Sequence, residues 1–102
     1  MSTTMMMSAE GWATDVTRLC ERLAERLARE GAPFPGAGAV ALAVRGGAGV
    51  DRSTFAAQLG LDPHELALAE NGALPYEQLP EAIRQLASSE TRLDLDRLLG
   101  RG

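Results

Sequence analysis

The chain contains no lysine, one cysteine, one histidine and few aromatic residues. The lone Cys20 cannot form an internal disulfide, and no group of histidines and cysteines has the spacing of metal ligands. We therefore expect neither a disulfide framework nor a zinc site, and a reducing cytoplasm without any bound cofactor fits best. All ten basic residues are arginines, which is typical of a GC-rich genome rather than of a requirement for arginine chemistry.

Long apolar runs and catalytic motifs are missing as well. The opening run Met5-Met6-Met7 lacks the basic flank and the apolar length of an export signal, and no later segment approaches the length of a membrane span. The sequence has no serine-nucleophile motif, no phosphate-binding loop and no paired carboxylates at a recognisable site. We therefore expect a soluble protein that contacts no membrane and is not an enzyme, because catalysis needs convergent groups.

Positive charge is also in deficit, with ten basic against fourteen acidic residues and a formal net charge of −4. Nonspecific affinity for nucleic acid comes mainly from neutralising phosphates, so bulk attraction to DNA is excluded. Any DNA binding would have to be local.

Alanine and leucine supply most of the apolar content, which amounts to 45% of the 102 residues. Both are strong helix formers, and a chain of this length builds one core at most, so the composition predicts a single all-α domain with appendages. Residues 1–9 are expected to be disordered. Residues 88–102 are expected to form a short C-terminal helix, over 91–99, and a tail.

The long helix predicted over residues 10–30 is amphipathic. Its apolar residues recur at spacings of three and four and form one stripe, while the opposite face is charged and roughly neutral. The stripe could pack on the rest of the chain or pair with a second copy. Because residues 31–36 form a Gly/Pro linker, we favour dimerisation through the stripe, which consists of Trp12, Val16, Leu19, Leu23 and Leu27.

Beyond the linker, Ala37 to Arg45 reads as a short helix stopped by Gly46-Gly47. Asp51 can cap a following helix that ends at Leu59, with Phe55 and Leu59 directed into the core.

Residues 55–66 have the spacing of a helix-turn-helix. Gly60 ends the first helix where a left-handed conformation is needed, Asp62 can cap the second helix, and Pro63 suits its first turn. Ala56 and Ala57 keep the first helix slim, so at least one of them can lie where the second helix crosses. The fold class is therefore all-α: a compact helix-turn-helix bundle with a long N-terminal amphipathic helix and a short C-terminal helix.

These residues resemble the lambda-repressor-like, or Xre-type, family of regulators over about residues 37–87. Phe55-Ala56 is similar to the family's apolar-Ala pair, Leu59-Gly60-Leu61 to its turn, Leu66 to its buried recognition-helix position and Glu70-Asn71-Gly72 to its Glu-x-Gly exit. Further matches are Pro75, Leu79, and the closing core positions Ile83 and Leu86. The resemblance implies a transcriptional regulator that reads a palindromic site in double-stranded DNA as a homodimer.

The resemblance places Arg52 beside a phosphate and the helix that starts at Pro63 in the major groove. Helical geometry adds that if Leu66 is buried, the opposite face projects outward. That face offers hydrogen-bonding groups for base edges and an apolar contact for a thymine methyl, from His64, Glu65, Leu68 and Asn71. The flanking Arg45, Arg52 and Arg84 are expected to hold phosphates.

The sequence departs from the family pattern in its charge. No arginine or lysine lies between Arg52 and Arg84, whereas five acidic residues do. If the flanking arginines face elsewhere, the alternative is a protein-interaction module or antitoxin-like partner on a helix-turn-helix scaffold, with Leu68 as a protein contact. We expect Glu70 to be structural, paired inside the domain or with a neighbouring backbone donor.

Overall fold

The computed structural model describes residues 9–89 and 94–100, with side chains from residue 17 onward. All regular secondary structure in this part of the chain is helical and it contains no strand, which confirms the all-α prediction. Of residues 1–9, which were expected to be disordered, all but Ala9 lie outside the described residues, and Ala9 begins the first helix. The first residues of the predicted final helix, 91–93, also lie outside them. The elements are α1 (Ala9–Arg29), α2 (Pro35–Ala48), α3 (Arg52–Leu59), α4 (Pro63–Glu70), a 3₁₀ turn (Tyr76–Gln78), α5 (Glu81–Ser89) and α6 (Leu95–Leu99).

Helix α2 is the central element, and it packs against α1, α4, α5 and α6. Residues 37–41 of α2 are all buried, and four of these five residues are alanine or glycine. Small side chains let several helices approach one axis closely, so the alanine-rich composition serves the packing directly. Helices α3 and α4 then close the core from one side.

The boundaries of α2 differ from the prediction. The helix begins at Pro35, inside the expected linker, and continues through Gly46 and Gly47 to Ala48. It ends at Gly49, whose φ is 72° and whose N–H bonds to the carbonyls of Arg45 and Gly46. Glycine weakens a helix without removing a backbone donor, so the expected stop at Gly46-Gly47 was wrong, and the left-handed residue sets the end.

The connection between α3 and α4 confirms the predicted turn chemistry. The Asp51 carboxylate accepts from the Thr54 N–H at 2.8 Å, and Asp62 accepts from the His64 N–H at 2.9 Å. Gly60 has a φ of 69°, and Pro63 occupies the first turn of α4. Each helix end therefore has a local cap, which fixes α4 relative to α3.

Two clusters form the core. The larger one is centred on Phe55, Leu66, Leu79 and Ile83, and the smaller one joins Cys20, Val40, Ala87 and Leu98.

The expectation that Leu86 closes the core was wrong, because this residue is 41% exposed. Ile83 and Ala87 lie one turn apart and define the buried face of α5, which rotates Leu86 toward solvent.

Helix α1 folds back on the rest of the chain and packs on α2 and α6. Leu27 is buried within its own chain, so this predicted dimerisation residue is not available to a second copy. Leu23 is half-buried and Leu19 is 56% exposed. Trp12 and Val16 lie in the part of α1 whose side chains are not described.

The predicted linker does not separate α1 from the helix-turn-helix. The Phe34 N–H donates to the Gly72 carbonyl at 2.9 Å, so the α1–α2 loop is fastened to the residue that follows the end of α4. The short helix α6 joins the same body through buried Leu98. It starts at Leu95, later than predicted, and Asp94 caps it by accepting from the Arg97 N–H.

Candidate nucleic-acid interface

The outer face of α4 is the candidate site. Leu66 and Ala69 are buried, whereas His64, Glu65 and Asn71 are exposed, as the helical spacing predicts. Leu68 is half-buried rather than fully outward. At 100° per residue, His64, Leu68 and Asn71 lie within about 60° of arc, and Glu65 lies at the edge of this face.

The beginning of α4 carries negative charge. Asp62 caps the helix and Glu65 lies in its first turn, where carboxylates interact favourably with the helix dipole. The same carboxylates oppose a phosphate, so this end of α4 is suited to reading base edges rather than to holding the DNA backbone.

A buried carboxylate ties three helices together behind this face. Glu70, at the end of α4, has a fully buried side chain and accepts from Arg45 Nε of α2 at 2.6 Å and from Arg52 Nε of α3 at 3.1 Å. Charge-assisted bonds from two guanidinium groups compensate the burial of one carboxylate. The interactions of Glu70 match its predicted structural role, and they hold α4 in one orientation.

Arg45 and Arg52 were both predicted to contact phosphates, but both form ion pairs with Glu70. The Arg45 side chain is 23% exposed and also donates from Nη1 to the Val50 carbonyl at 3.2 Å, so its main role is to support the frame. The Arg52 side chain is 44% exposed and contacts Glu70 through Nε. Of these two arginines, Arg52 at the start of α3 therefore has the more exposed side chain.

Arg84 lies on a different surface. Its Nε donates to the Leu79 carbonyl at 3.0 Å, and the side chain is half-buried on α5. It borders an open groove between the 3₁₀ turn and α5, together with Tyr76, Glu81, Gln85, Ser88 and Ser89. The structure thus brings Arg45 and Arg52 together at the inner end of α4, whereas Arg84 belongs to this separate groove.

The residue that caps the start of α3, Asp51, has a lowered pKa. Hydrogen bonding from the backbone N–H of Thr54 is the main reason that the pKa of the Asp51 carboxyl lies below its usual value. The ionised carboxylate is the better acceptor, so the folded protein favours that form.

The two arginine partners of Glu70 escaped sequence reasoning. They lie 25 and 18 positions away in the sequence, so no helical spacing links them to Glu70. The expectation that Glu70 is paired inside the domain was the only signal, and Arg45 and Arg52 had been assigned to phosphates instead.

Comparison of the chain with models of protein families, with curated proteins and with solved structures finds no match in any of the three. The side chains that the structure describes form no group of three or more potential ligands able to hold a metal ion. In the described segments, no helix combines the length and the apolar character needed to cross a membrane.

Proposed function

We propose that this chain is a sequence-specific DNA-binding regulator of the lambda-repressor-like type, with α4 as its recognition helix. One observation supports it above the others: α4 is anchored through Leu66, Ala69 and Glu70 while its hydrogen-bonding face points outward. A helix docked by one face and capped at a rigid turn can enter the major groove without further ordering.

The outward residues match the chemistry of base edges. Asn71 can pair with the N6 and N7 atoms of adenine, His64 can donate to or accept from a base, and Glu65 can accept from the cytosine amine. The partly exposed Leu68 can contact a thymine methyl. Arg52 contacts a phosphate at the start of α3 and positions the domain without reading sequence.

The proposed regulator acts as a homodimer on a two-fold site. Two exposed leucines, Leu19 on α1 and Leu86 on α5, are apolar positions that a second copy can cover. In sedimentation-velocity runs over a concentration series, wild type should form a dimer. Leu19→Glu should shift the population toward monomer, and Glu25→Gln on the same helix should not. A monomer at every concentration would contradict this part of the proposal.

Selection of bound sequences from a random duplex pool tests the DNA-binding proposal. We expect an enriched two-fold motif whose affinity falls steeply as salt rises, because phosphate contacts release counterions. If no motif were enriched, or if the affinity did not depend on salt concentration, the DNA-binding proposal would be contradicted.

A second candidate function rests on the charge of the same surface. Exposed Asp62 and Glu65 lie at the start of the helix that carries half-buried Leu68, and Glu70 already engages Arg45 and Arg52. A basic protein surface with an apolar centre would complement this face, as in an antitoxin-like partner. In that case Leu68→Ala would weaken capture of one protein from the source cells, and the duplex pool would yield no motif.

A further inference from the structure

Four arginines lie along the exposed side of α1, and we call them the arginine ridge. Helical spacing places them within about 80° of arc over about 16 Å of helix. All four are exposed in the folded chain. The ridge consists of Arg18, Arg22, Arg26 and Arg29.

The fold makes this surface more basic than the sequence indicates. Glu21, which could neutralise the ridge from the neighbouring turn, instead accepts from Arg97 of α6, at 2.6 Å from Nε and 3.3 Å from Nη2. Among the described carboxylates, this leaves Glu25 within α1 and Glu30, the residue after its end, at helical spacing from the ridge. The expectation of a neutral face therefore changes, because a partner 76 positions away engages one of its acids.

The ridge and the recognition helix approach one corner of the molecule. The α1–α2 loop follows directly on α1, and its Phe34 N–H bonds to the carbonyl of Gly72, just beyond the end of α4. Gly38 of α2 lies between Leu27 of α1 and Gly72, so close that an added Cβ would lie 2.7 Å and 2.8 Å from their atoms. The C-terminal ends of α1 and α4 are thus fixed relative to each other.

We propose that the arginine ridge binds the phosphate backbone of the nucleic acid that α4 reads. The inference rests on the proposed DNA binding and supplies the phosphate contacts that α4 lacks, since residues 53–83 contain no arginine or lysine. A row of exposed guanidinium groups complements a row of phosphates, and it adds affinity that is independent of sequence. Its occupant is therefore a polyanionic backbone rather than an apolar surface.

The test compares Arg22→Gln/Arg26→Gln with the charge-matched control Gln78→Glu/Ser88→Glu. Both variants make the net charge more negative by two, and all four positions are exposed or half-buried surface sites. The probe is a fluorescein-labelled duplex of mixed sequence, titrated by anisotropy across a salt series. The slope of log affinity against log salt should shrink by about 0.9 for each lost contact, hence by about 1.8 in the ridge variant.

In the ridge variant the slope should decrease by the same amount on the mixed duplex and on a selected site. Its circular dichroism and thermal midpoint should remain those of wild type. The same slope loss in the control would overturn the ridge proposal, since net charge alone would then explain it. An unchanged slope in the ridge variant, with wild type still selecting a motif, would overturn the ridge and leave sequence-specific binding intact. Salt-dependent loss in the ridge variant alone, without any selected motif, would support the ridge and reject sequence reading by α4.

Discussion

Glu70 is the residue that connects the core to the surface. Its carboxylate is fully buried, and it binds guanidinium groups from α2 and α3. Removing one partner from a buried ion pair is costly because the remaining charges lose their compensation. Here both arginines keep some contact with water, so the cost should be smaller than for a wholly buried pair.

We therefore expect Glu70→Gln to lower the free energy of unfolding by about 2 kcal/mol, since charge-assisted bonds are lost. Urea unfolding at neutral pH measures this change. The matched control is Glu65→Gln on the exposed part of the same helix, which should shift stability by less than about 0.5 kcal/mol. Equal stability of the two variants would show that the ion pairs with Glu70 do not hold the frame.

Asp51 should give the fold a pH dependence at acidic pH. Its folded pKa is lowered chiefly by the Thr54 N–H, so its contribution is fully present above the unfolded pKa of about 3.9 and is lost as pH falls through the folded pKa. Asp51→Asn keeps a neutral cap. The stability difference between wild type and Asp51→Asn should be largest near neutral pH and shrink below about pH 4. A difference that is constant with pH would contradict this account of the cap.

At the scale of elements, α2 depends on where its glycines lie. Gly38 faces the crossing with α1, where an added Cβ would lie 2.7 Å from Leu27 Cδ1 and 2.8 Å from the Gly72 backbone. Gly46 lies in the same helix with no atom that would lie within 4 Å of an added Cβ. The same substitution should therefore have opposite effects at the two positions.

Gly38→Ala should destabilise the protein by about 1–3 kcal/mol through overpacking. Gly46→Ala should stabilise it by about 0.5–1 kcal/mol, because alanine loses less backbone entropy in a helix. Urea unfolding of both variants checks the pair. Stabilisation by both substitutions would mean that α1 does not pack on α2 as described.

Cys20 reports whether α1 is docked. The residue is 1% exposed, and desolvation followed by the nearby Glu21 charge raises the pKa of its thiol. Disulfide reagents attack thiolates that they can reach, so native Cys20 should react at least about tenfold more slowly than in concentrated guanidinium chloride. Equal rates would place α1 away from α2 and α6.

The elements show which features a sequence can predict. Asp51, Gly60, Asp62 and Pro63 act on their immediate neighbours, so their roles were predicted from local turn chemistry. The end of α2 was not predicted correctly, because three glycines lie close together there. Only Gly49 adopts the left-handed conformation that ends the helix.

Features that depend on distant partners also escaped prediction. The rotation of Leu86 to the surface follows from where α5 packs. The pairing of Glu21 with Arg97 joins residues 76 positions apart. Such features follow from packing between helices rather than from spacing within one. The outward face of α4 was predicted because it needed only the burial of Leu66 and a period of 3.6 residues.

At the scale of the whole molecule, charge is divided between surfaces. The chain is acidic overall, with a formal net charge of −4, and the exposed Asp62 and Glu65 lie at the start of α4. The arginines of α1 occupy another helix that is fixed to the same core. Under the proposed function, one surface would read sequence while another supplies affinity, since base contacts and phosphate contacts are separate terms.

The central claim is that α4 reads base edges, and His64→Ala tests it most directly. The measurement is the affinity of wild type and of this variant for a selected duplex and for each single-base change within it, with Gln78→Ala as control. We expect His64→Ala to lose roughly 1–3 kcal/mol of preference at one base position while the others keep theirs. If neither His64→Ala nor Asn71→Ala changed the base preference at any position, the assignment of α4 as the recognition helix would be contradicted.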